Sequence, residues 1–191
     1  EKVLPDTPVW RHKLSYNEPY VQYYFRHPAY RKYPVVGVSY EQVVDYCKWR
    51  TDRVKEFALL CSKKSKFASS YKTSNYYYRL PTKAEWEYAA NAGSNKQYGF
   101  VSMQGDDNSP NFNIKETYML GYFESGADII VPAFYKKPNS FGLYNTIGNV
   151  AEMTIEKGIS KGGGWINSIG DCEISDSIKY EGRSSWLGFR C

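Results

Sequence analysis

The chain has 191 residues, of which 42% are hydrophobic and 24% are charged, and this composition is typical of a single globular domain. The net charge of +5 is modest, and four lysines cluster in one polar stretch (62–75), so we expect a solvated basic loop and no nucleic-acid partner. No apolar run approaches the roughly 20 residues of a membrane span. The chain begins at Glu1 and not at Met. The sequence is therefore compatible with a leader that has been removed or with a lipid anchor that precedes Glu1.

The N-terminal segment, residues 1–33, is extended and rich in aromatic residues. Five prolines occur within the first 34 residues, and they forbid a long helix there. We therefore expect this segment to wrap as a strap over the domain formed by residues 34–191.

A long helix is predicted directly after the strap. PVVGV (34–38) is predicted to be a short strand, and Ser39 followed by Gln42 forms a capping box at a helix start. Side chains suited to a core then recur every three or four residues, which gives the helix one buried face before it ends in the stretch at 62–75. This face consists of Tyr40, Val43, Val44, Cys47, Thr51, Val54, Ala58 and Cys61.

A second helix is predicted in RLPTKAEWEYAANAG (79–93). Thr82 and Glu85 form its capping box, and Asn91 and Gly93 end it.

The remainder, residues 94–191, is rich in Gly, Asn, Ser and Pro, and the pattern predicts only short strands at 128–134, 160–165 and 186–191. A half with so little regular structure needs cross-links or bound ions to hold it together.

The four cysteines are an even number, and none belongs to a Cys-x-x-Cys pair. The two histidines lie far from them in sequence, which argues against a zinc site. Two disulfides in an extracytoplasmic protein fit better, with three connectivities open.

The stretch NTIGNVAE (145–152) has the composition of a calcium-binding loop. Asn145 and Glu152 offer hard oxygen ligands, and a turn at Gly148 and Asn149 can aim backbone carbonyls inward. The alternative is an ordinary polar turn in which Glu152 caps backbone amides.

The stretch KGGGWINSIGDC (161–172) has two interpretations. Its glycines are expected where a side chain would clash or where φ is positive, with Trp165 as a core anchor and Cys172 as a structural residue. Alternatively, Cys172 is a free reactive thiol. Asp171 and Glu173 would raise its pKa, and no histidine is adjacent to lower it.

Five motifs, in order, resemble the sulfatase-modifying-factor family, whose best-known members are the formylglycine-generating enzymes. They are PVVGVSYEQVVDYCKW, RLPTKAEWEYAANAG, NSFGLYNTIGNVAEMT, SKGGGWINS and LGFRC. The resemblance implies an α+β fold related to C-type lectins, with two helices, short strands and extensive loops. The N-terminal LPDTPVW and NEPYVQYYFRHPA segments resemble a branch of gliding-motility and type IX secretion lipoproteins, the GldK/GldJ group.

The resemblance also locates the chemistry. Active oxidases of the family bind copper(I) through two cysteines five residues apart. These positions fall here on Asn167 and Cys172, so the soft sulfur pair is incomplete. We therefore expect no bound copper and no oxidase activity. A serine hydrolase is also unsupported, because neither His12 nor His27 lies in a recognisable catalytic setting.

The family pattern further implies cross-links and ions. It pairs Cys47 with Cys191, which leaves Cys61 and Cys172 as a weaker second pair or as two buried free thiols. It places a structural calcium on the side chains of Asn145 and Glu152 and the carbonyls of Gly148 and Val150. A second, weaker calcium site would use Asn111 and the carbonyl of Phe112, but Ser125 stands where its acidic ligand is expected.

Three functions are compatible with these observations. The first is a non-catalytic subunit of an outer-membrane gliding or type IX secretion assembly, in the periplasm or at the cell surface, which contacts other protein subunits. The second is a thiol oxidase or other modifying enzyme that uses Cys172. The third is a lectin-like module that binds a ligand through Trp165, Tyr180 and Trp186.

Overall fold

A computed structural model describes the chain in six ranges: residues 3–13, 16–64, 76–94, 97–98, 112–115 and 129–191. Three α-helices lie in its first half: α1 (Glu18–Tyr23), α2 (Tyr40–Lys64) and α3 (Lys83–Asn91). Four strands follow: β1 (Ala151–Met153), β2 (Ile159–Lys161), β3 (Ile178–Lys179) and β4 (Leu187–Phe189). Short 3-10 helices span Thr7–Trp10, Pro28–Tyr30 and Ile169–Cys172.

Helix α2 begins at the predicted capping box. The backbone N–H of Ser39 donates to Gln42 Oε1 at 2.8 Å, and that of Gln42 donates to Ser39 Oγ at 3.2 Å. Val43, Cys47 and Thr51 are buried, whereas no side chain described beyond Thr51 on this helix is buried. The predicted core face is therefore confirmed for the first three turns, and the C-terminal half of α2 projects away from the core.

Helix α3 is confirmed at both ends. Thr82 and Glu85 form the reciprocal capping box, and Ala92 adopts a left-handed φ of 47° just after the helix. Trp86 and Ala90 are buried on its inner face. No helix within the described ranges is long and apolar enough to cross a membrane.

The four strands form one small sheet in the order β3-β2-β1-β4. Strand β1 pairs antiparallel with β2 and parallel with β4, and β2 pairs antiparallel with β3. The predicted strands at 160–165 and 186–191 are confirmed in position, although both are shorter. The predicted strands at 34–38 and, in its described part, at 129–134 are wrong, because these segments make no strand ladder. Helix α1 and strands β1 and β3 were not predicted.

The N-terminal strap packs against the core. Trp10 and Tyr24 are buried with Val36, Ile130 and Val150 in one hydrophobic cluster. The Tyr24 hydroxyl donates to the Pro34 carbonyl at 2.6 Å.

The segment 34–38 is also tied to its surroundings by backbone bonds. The Asp6 N–H donates to the Gly37 carbonyl at 2.7 Å, and the Gly37 N–H donates to Ser184 O at 3.0 Å. These single bonds to two different segments explain why 34–38 is extended without being a strand of the sheet.

Candidate functional site

Asn167 uses both its side chain and its backbone to close a turn after the glycines. Its Oδ1 accepts from the Gly164 N–H at 2.9 Å, and its own N–H donates to Gly164 O at 2.9 Å. The Asn167 carbonyl accepts from the Lys115 N–H at 2.8 Å. The residue at the first family cysteine position therefore holds backbone in place and carries no thiol.

Cys172 lies at the end of the 3-10 helix Ile169–Cys172 and is completely buried. Its thiol donates to the Ser168 carbonyl at 3.2 Å. Burial, and secondarily the charge of Asp171, raises the pKa of this thiol to about 12. The side chain is therefore a neutral thiol at physiological pH, and a neutral thiol is a poor nucleophile and metal ligand.

The predicted role of the glycines is confirmed at Gly163. A Cβ atom there would lie 2.1 Å from the Cys172 sulfur, and the residue has a φ of +67°. Only glycine tolerates both conditions. The glycine-rich stretch is thus a close packing contact against the buried cysteine.

The predicted calcium loop begins at Asn145, which has a φ of 50°. Its Nδ2 donates to the carbonyls of Pro132 and Ala133 at 3.1 and 2.9 Å. Its Oδ1 is buried and has no hydrogen-bond partner within the described part of the chain. An orphaned buried oxygen is costly unless a cation or another donor reaches it, so Asn145 fits a metal ligand.

The far end of this loop is engaged in a different way. Glu152 accepts from the Trp86 indole N–H at 2.7 Å, and both its oxygens accept from the Arg190 guanidinium at 2.7 to 3.1 Å. Arg190 Nη2 also donates to the Tyr144 carbonyl at 2.7 Å. The negative charge of Glu152 raises the pKa of Arg190. Glu152 therefore fits a cation only if it gives up part of its bonding to Arg190.

A buried lysine, which the sequence pattern did not single out, lies beside this group. Lys161 pairs with Glu152 across strands β2 and β1, and its side chain is fully buried. Its Nζ donates to Glu87 Oε1 at 2.7 Å and lies 5.8 Å from the centre of the Trp86 ring. Two ion pairs thus flank Trp86. Within the described ranges, no group of three His, Cys, Asp or Glu residues could hold a metal ion.

All four cysteines are thiols in the structure. Cys47 and Cys191 lie close enough for each side chain to affect the pKa of the other, so they are neighbours as the expected pairing requires. The weaker second pairing, of Cys61 with Cys172, stays a prediction. Cys172 packs against Gly163 and donates to Ser168.

The remaining predicted site residues are dispersed. Asn111 and Ser125 lie outside the described residues, and Phe112 is buried in the cluster around Trp86. Trp165 packs against the cluster around Trp10, while Tyr180 and Trp186 pack against a different cluster on the sheet. These three aromatic residues are therefore partly buried in two clusters, and they do not form the exposed binding surface expected of a lectin-like module.

The sequence of this chain matches that of a known protein family. A family model of the sulfatase-modifying factor enzyme 1-like domain (FGE-sulfatase) matches residues 11–191, and the chain belongs to this family.

Several proteins are similar to this chain in sequence. The chaperone protein LppX of Paenibacillus barcinonensis is 28% identical over 78% of this chain and 64% of its own length. A formylglycine-generating enzyme of Streptomyces coelicolor is 30% identical over 63% of this chain and 31% of the enzyme. The inactive C-alpha-formylglycine-generating enzyme 2 of Bos taurus is 27% identical over 84% of this chain and 50% of that protein. The chain thus spans between 31% and 64% of the length of these relatives.

One solved structure supports the fold. PvdO from Pseudomonas aeruginosa superposes with a TM-score of 0.56 at 21% identity, covering 83% of this chain and 60% of PvdO. The expected α+β fold of this family is therefore confirmed.

Proposed function

We propose that the chain is a non-catalytic structural and interaction subunit of an extracytoplasmic bacterial assembly. The observation that carries this proposal is the state of the two positions where the family places its copper ligands. One is Asn167, whose side chain caps a turn, and the other is Cys172, a buried thiol.

Asn167 and Cys172 do not form a suitable pair of copper(I) ligands. Copper(I) prefers soft thiolate ligands, and an amide oxygen is hard. The single remaining sulfur is fully buried and has a pKa raised to about 12, so it is neither ionised nor accessible to a thiol substrate.

The names of two relatives support a non-catalytic role. A relative that covers 84% of this chain is named an inactive formylglycine-generating enzyme, and another is named a chaperone protein. Other relatives are named as formylglycine-generating enzymes, so the proposal rests on the residues at positions 167 and 172 of this chain.

The particular assembly that we propose is an outer-membrane gliding-motility or type IX secretion machine. The support is the resemblance of the strap, with its LPDTPVW and NEPYVQYYFRHPA segments, to lipoproteins of those systems. The strap is anchored by the buried Trp10 and Tyr24, while Tyr16 and Tyr23 on it are 83% and 51% exposed. Exposed tyrosines on an anchored segment suit a protein interface.

Calcium belongs to this proposal as a structural ion only. Asn145 would supply its buried Oδ1 as a ligand, and the backbone carbonyls of Gly148 and Val150 would be further ligands. Glu152 would share its carboxylate between the ion and Arg190. When bound, the ion would supply charge that holds the loop to the sheet.

Two measurements test the proposal. Purification under native conditions followed by mass spectrometry is expected to recover a constant set of envelope protein subunits with the chain. Copper(I) titration of the purified protein, followed by an assay with a cysteine-containing peptide, is expected to give neither stoichiometric copper nor turnover. Stoichiometric copper together with peptide oxidation would overturn the non-catalytic assignment.

A further inference from the structure

A groove runs beside helix α3. Its volume is about 550 Å³, which lies within the range of about 300–1,000 Å³ that is usual for small-ligand sites. It is bounded by α3, by residue 97 and by the turn that follows the 3-10 helix Ile169–Cys172. We call it the α3 groove, and its lining includes Glu87, Tyr88, Asn91, Gln97, Ile174 and Ser175.

The polar side chains of the α3 groove are held in place by hydrogen bonds. The Ile174 N–H donates to the Gln97 carbonyl at 3.0 Å, and Gln97 Nε2 donates to Glu173 Oε1. On the α3 side, Asn91 Oδ1 accepts from the Ser94 hydroxyl at 2.9 Å. The other amide atoms of these two side chains, Gln97 Oε1 and Asn91 Nδ2, are an acceptor and a donor that suit a polar ligand.

The charge of the α3 groove is balanced from inside the protein. Among the lining residues that the structure describes, Glu87 is the one that carries a charge. Its Oε1 accepts from Lys161 Nζ at 2.7 Å, and the Glu87 side chain is 38% exposed whereas that of Lys161 is fully buried. Because the ammonium of Lys161 cannot be reached from the groove, an anionic ligand finds no counterion there. A cationic ligand gains little, because the carboxylate is already paired.

An exposed tyrosine forms one edge of the α3 groove. Tyr88 is 71% exposed, and its ring packs on that of Phe141 with 5.6 Å between the centroids. The loop that carries Phe141 is bonded to α3, since Asn139 Nδ2 donates to the carbonyls of Ala89 and Ala90 at 2.9 and 3.2 Å. The tyrosine ring is therefore positioned before a ligand arrives, and a ligand can cover it at little cost in conformational entropy.

This combination disfavours two common modes of peptide binding. The lining residues named above lie in a helix and in turns, so they offer no strand edge to which an extended peptide could add. A bound amphipathic helix needs an apolar groove, whereas here carboxylate, amide and hydroxyl groups lie beside the ring. A sugar matches both parts of the lining. Its hydroxyls form hydrogen bonds, and when they are equatorial its C–H groups form an apolar face that stacks on an aromatic ring.

We propose that the α3 groove binds a neutral oligosaccharide built from sugars with equatorial hydroxyls. The Tyr88 ring covers the C–H face of one sugar, Glu87 accepts from its hydroxyls, and the amides of Asn91 and Gln97 bond to neighbouring hydroxyls. The described lining includes none of the three aromatic residues that the sequence suggested for a lectin-like module. This inference goes beyond the proposed function and does not depend on it, because a catalytic or a non-catalytic domain could carry the same groove.

The test is isothermal titration calorimetry of the purified chain with cellotetraose, with chitotetraose and with the deacetylated, cationic form of chitotetraose. We expect at least one of the two neutral tetrasaccharides to bind with a Kd of about 0.1–1 mM. The cationic tetrasaccharide is expected to bind no more tightly, because Lys161 already balances Glu87. Saturation-transfer NMR is expected to show contact between the C–H protons of the neutral sugar and aromatic protons of the protein.

Variants assign the binding to the α3 groove. Tyr88→Ala is expected to weaken binding of the neutral sugar at least about tenfold, and Asn91→Ala about threefold. The matched control is Phe134→Ala, because this side chain is 73% exposed and packs on another aromatic ring but is not among the lining residues. Glu87 is kept in every variant, since its loss would leave Lys161 buried without a counterion. Circular dichroism and thermal melting show that each variant is folded.

Three results would overturn the proposal. The first is that neither neutral tetrasaccharide gives binding heat or saturation transfer. The second is that the cationic tetrasaccharide alone binds, which would make the groove a cation site. The third is that folded Tyr88→Ala binds the neutral sugar as tightly as the parent protein does, which would place the sugar elsewhere on the molecule.

Discussion

Arg190 places its guanidinium across both carboxylate oxygens of Glu152, and its Nη2 also donates to the Tyr144 carbonyl. The two residues lie 38 positions apart, one in β1 and the other directly after β4. Because β1 and β4 are neighbouring parallel strands, the ion pair fixes the C-terminal end of the chain to the loop at 145–152.

Arg190→Met is expected to lower the free energy of unfolding by about 3 kcal/mol, since it leaves the Glu152 carboxylate largely buried beside Trp86 without a counterion. Arg79→Met is the matched control. Its pair with Glu85 is more exposed on both sides, so its loss is expected to cost less than about 1 kcal/mol. Urea denaturation compares them, and equal losses would contradict the structural role of the buried pair.

The reactivity of Cys172 is a second prediction. At pH 8 its thiol is expected to react with iodoacetamide far more slowly than Cys191, because Cys172 is fully buried and its pKa is raised to about 12, whereas Cys191 is exposed. Mass spectrometry of peptides after timed labelling measures both rates, and labelling in denaturant serves as the control. Rapid native labelling of Cys172 would revive the reactive-thiol alternative.

Stability at high pH follows from the same burial. Burial raises the pKa of the Cys172 thiol from its ordinary value of 9.0 to about 12, so above pH 9 the unfolded chain releases a proton that the native chain keeps. The contribution of this residue to stability is therefore complete below pH 9 and declines as the pH rises toward 12. Relative to Cys172→Ala, the parent protein should lose more stability between pH 8 and pH 10.5. If the stabilities of the parent and of Cys172→Ala decline equally over this pH range, the thiol does not titrate in this way.

What the sequence could predict is the part of the fold that is encoded locally. Ser39 with Gln42, and Thr82 with Glu85, are three residues apart, so the helix starts can be read directly from the chain. The substitution at Asn167 can also be read directly, since its motif is continuous.

The features that the sequence did not predict depend on contacts between residues that are far apart in the chain. Strand β1 has only three residues, and it exists because β2 and β4 flank it. Lys161 is buried because Glu87, 74 residues earlier, neutralises it, and no local pattern shows that pairing. The bonding of Glu152 to Arg190 likewise had no local signal, so the sequence presented Glu152 as a metal ligand or as a cap of backbone amides.

Calcium binding is tested most directly through Asn145. If the loop holds an ion, calcium should raise the melting temperature of the protein previously treated with EGTA, and Asn145→Ala should abolish most of that rise by removing the orphaned Oδ1. Asn139→Ala is the control, because this asparagine hydrogen-bonds to the Ala89 and Ala90 carbonyls and to nearby backbone amides. A parent protein whose melting temperature does not change with calcium would contradict the proposed calcium site.

Gly163→Ala gives the final prediction. The added methyl would lie 2.1 Å from the Cys172 sulfur at a φ of +67°, so we expect a loss of about 3 kcal/mol from the clash and backbone strain together. Gly182→Ala, where a new Cβ meets nothing within 4 Å, is expected to be nearly neutral. In the double variant Gly163→Ala/Cys172→Ala, removal of the sulfur should relieve the clash and leave the φ strain. The double-mutant cycle should therefore show a favourable coupling between the two sites, and strictly additive losses would mean that the glycine is required for its φ alone.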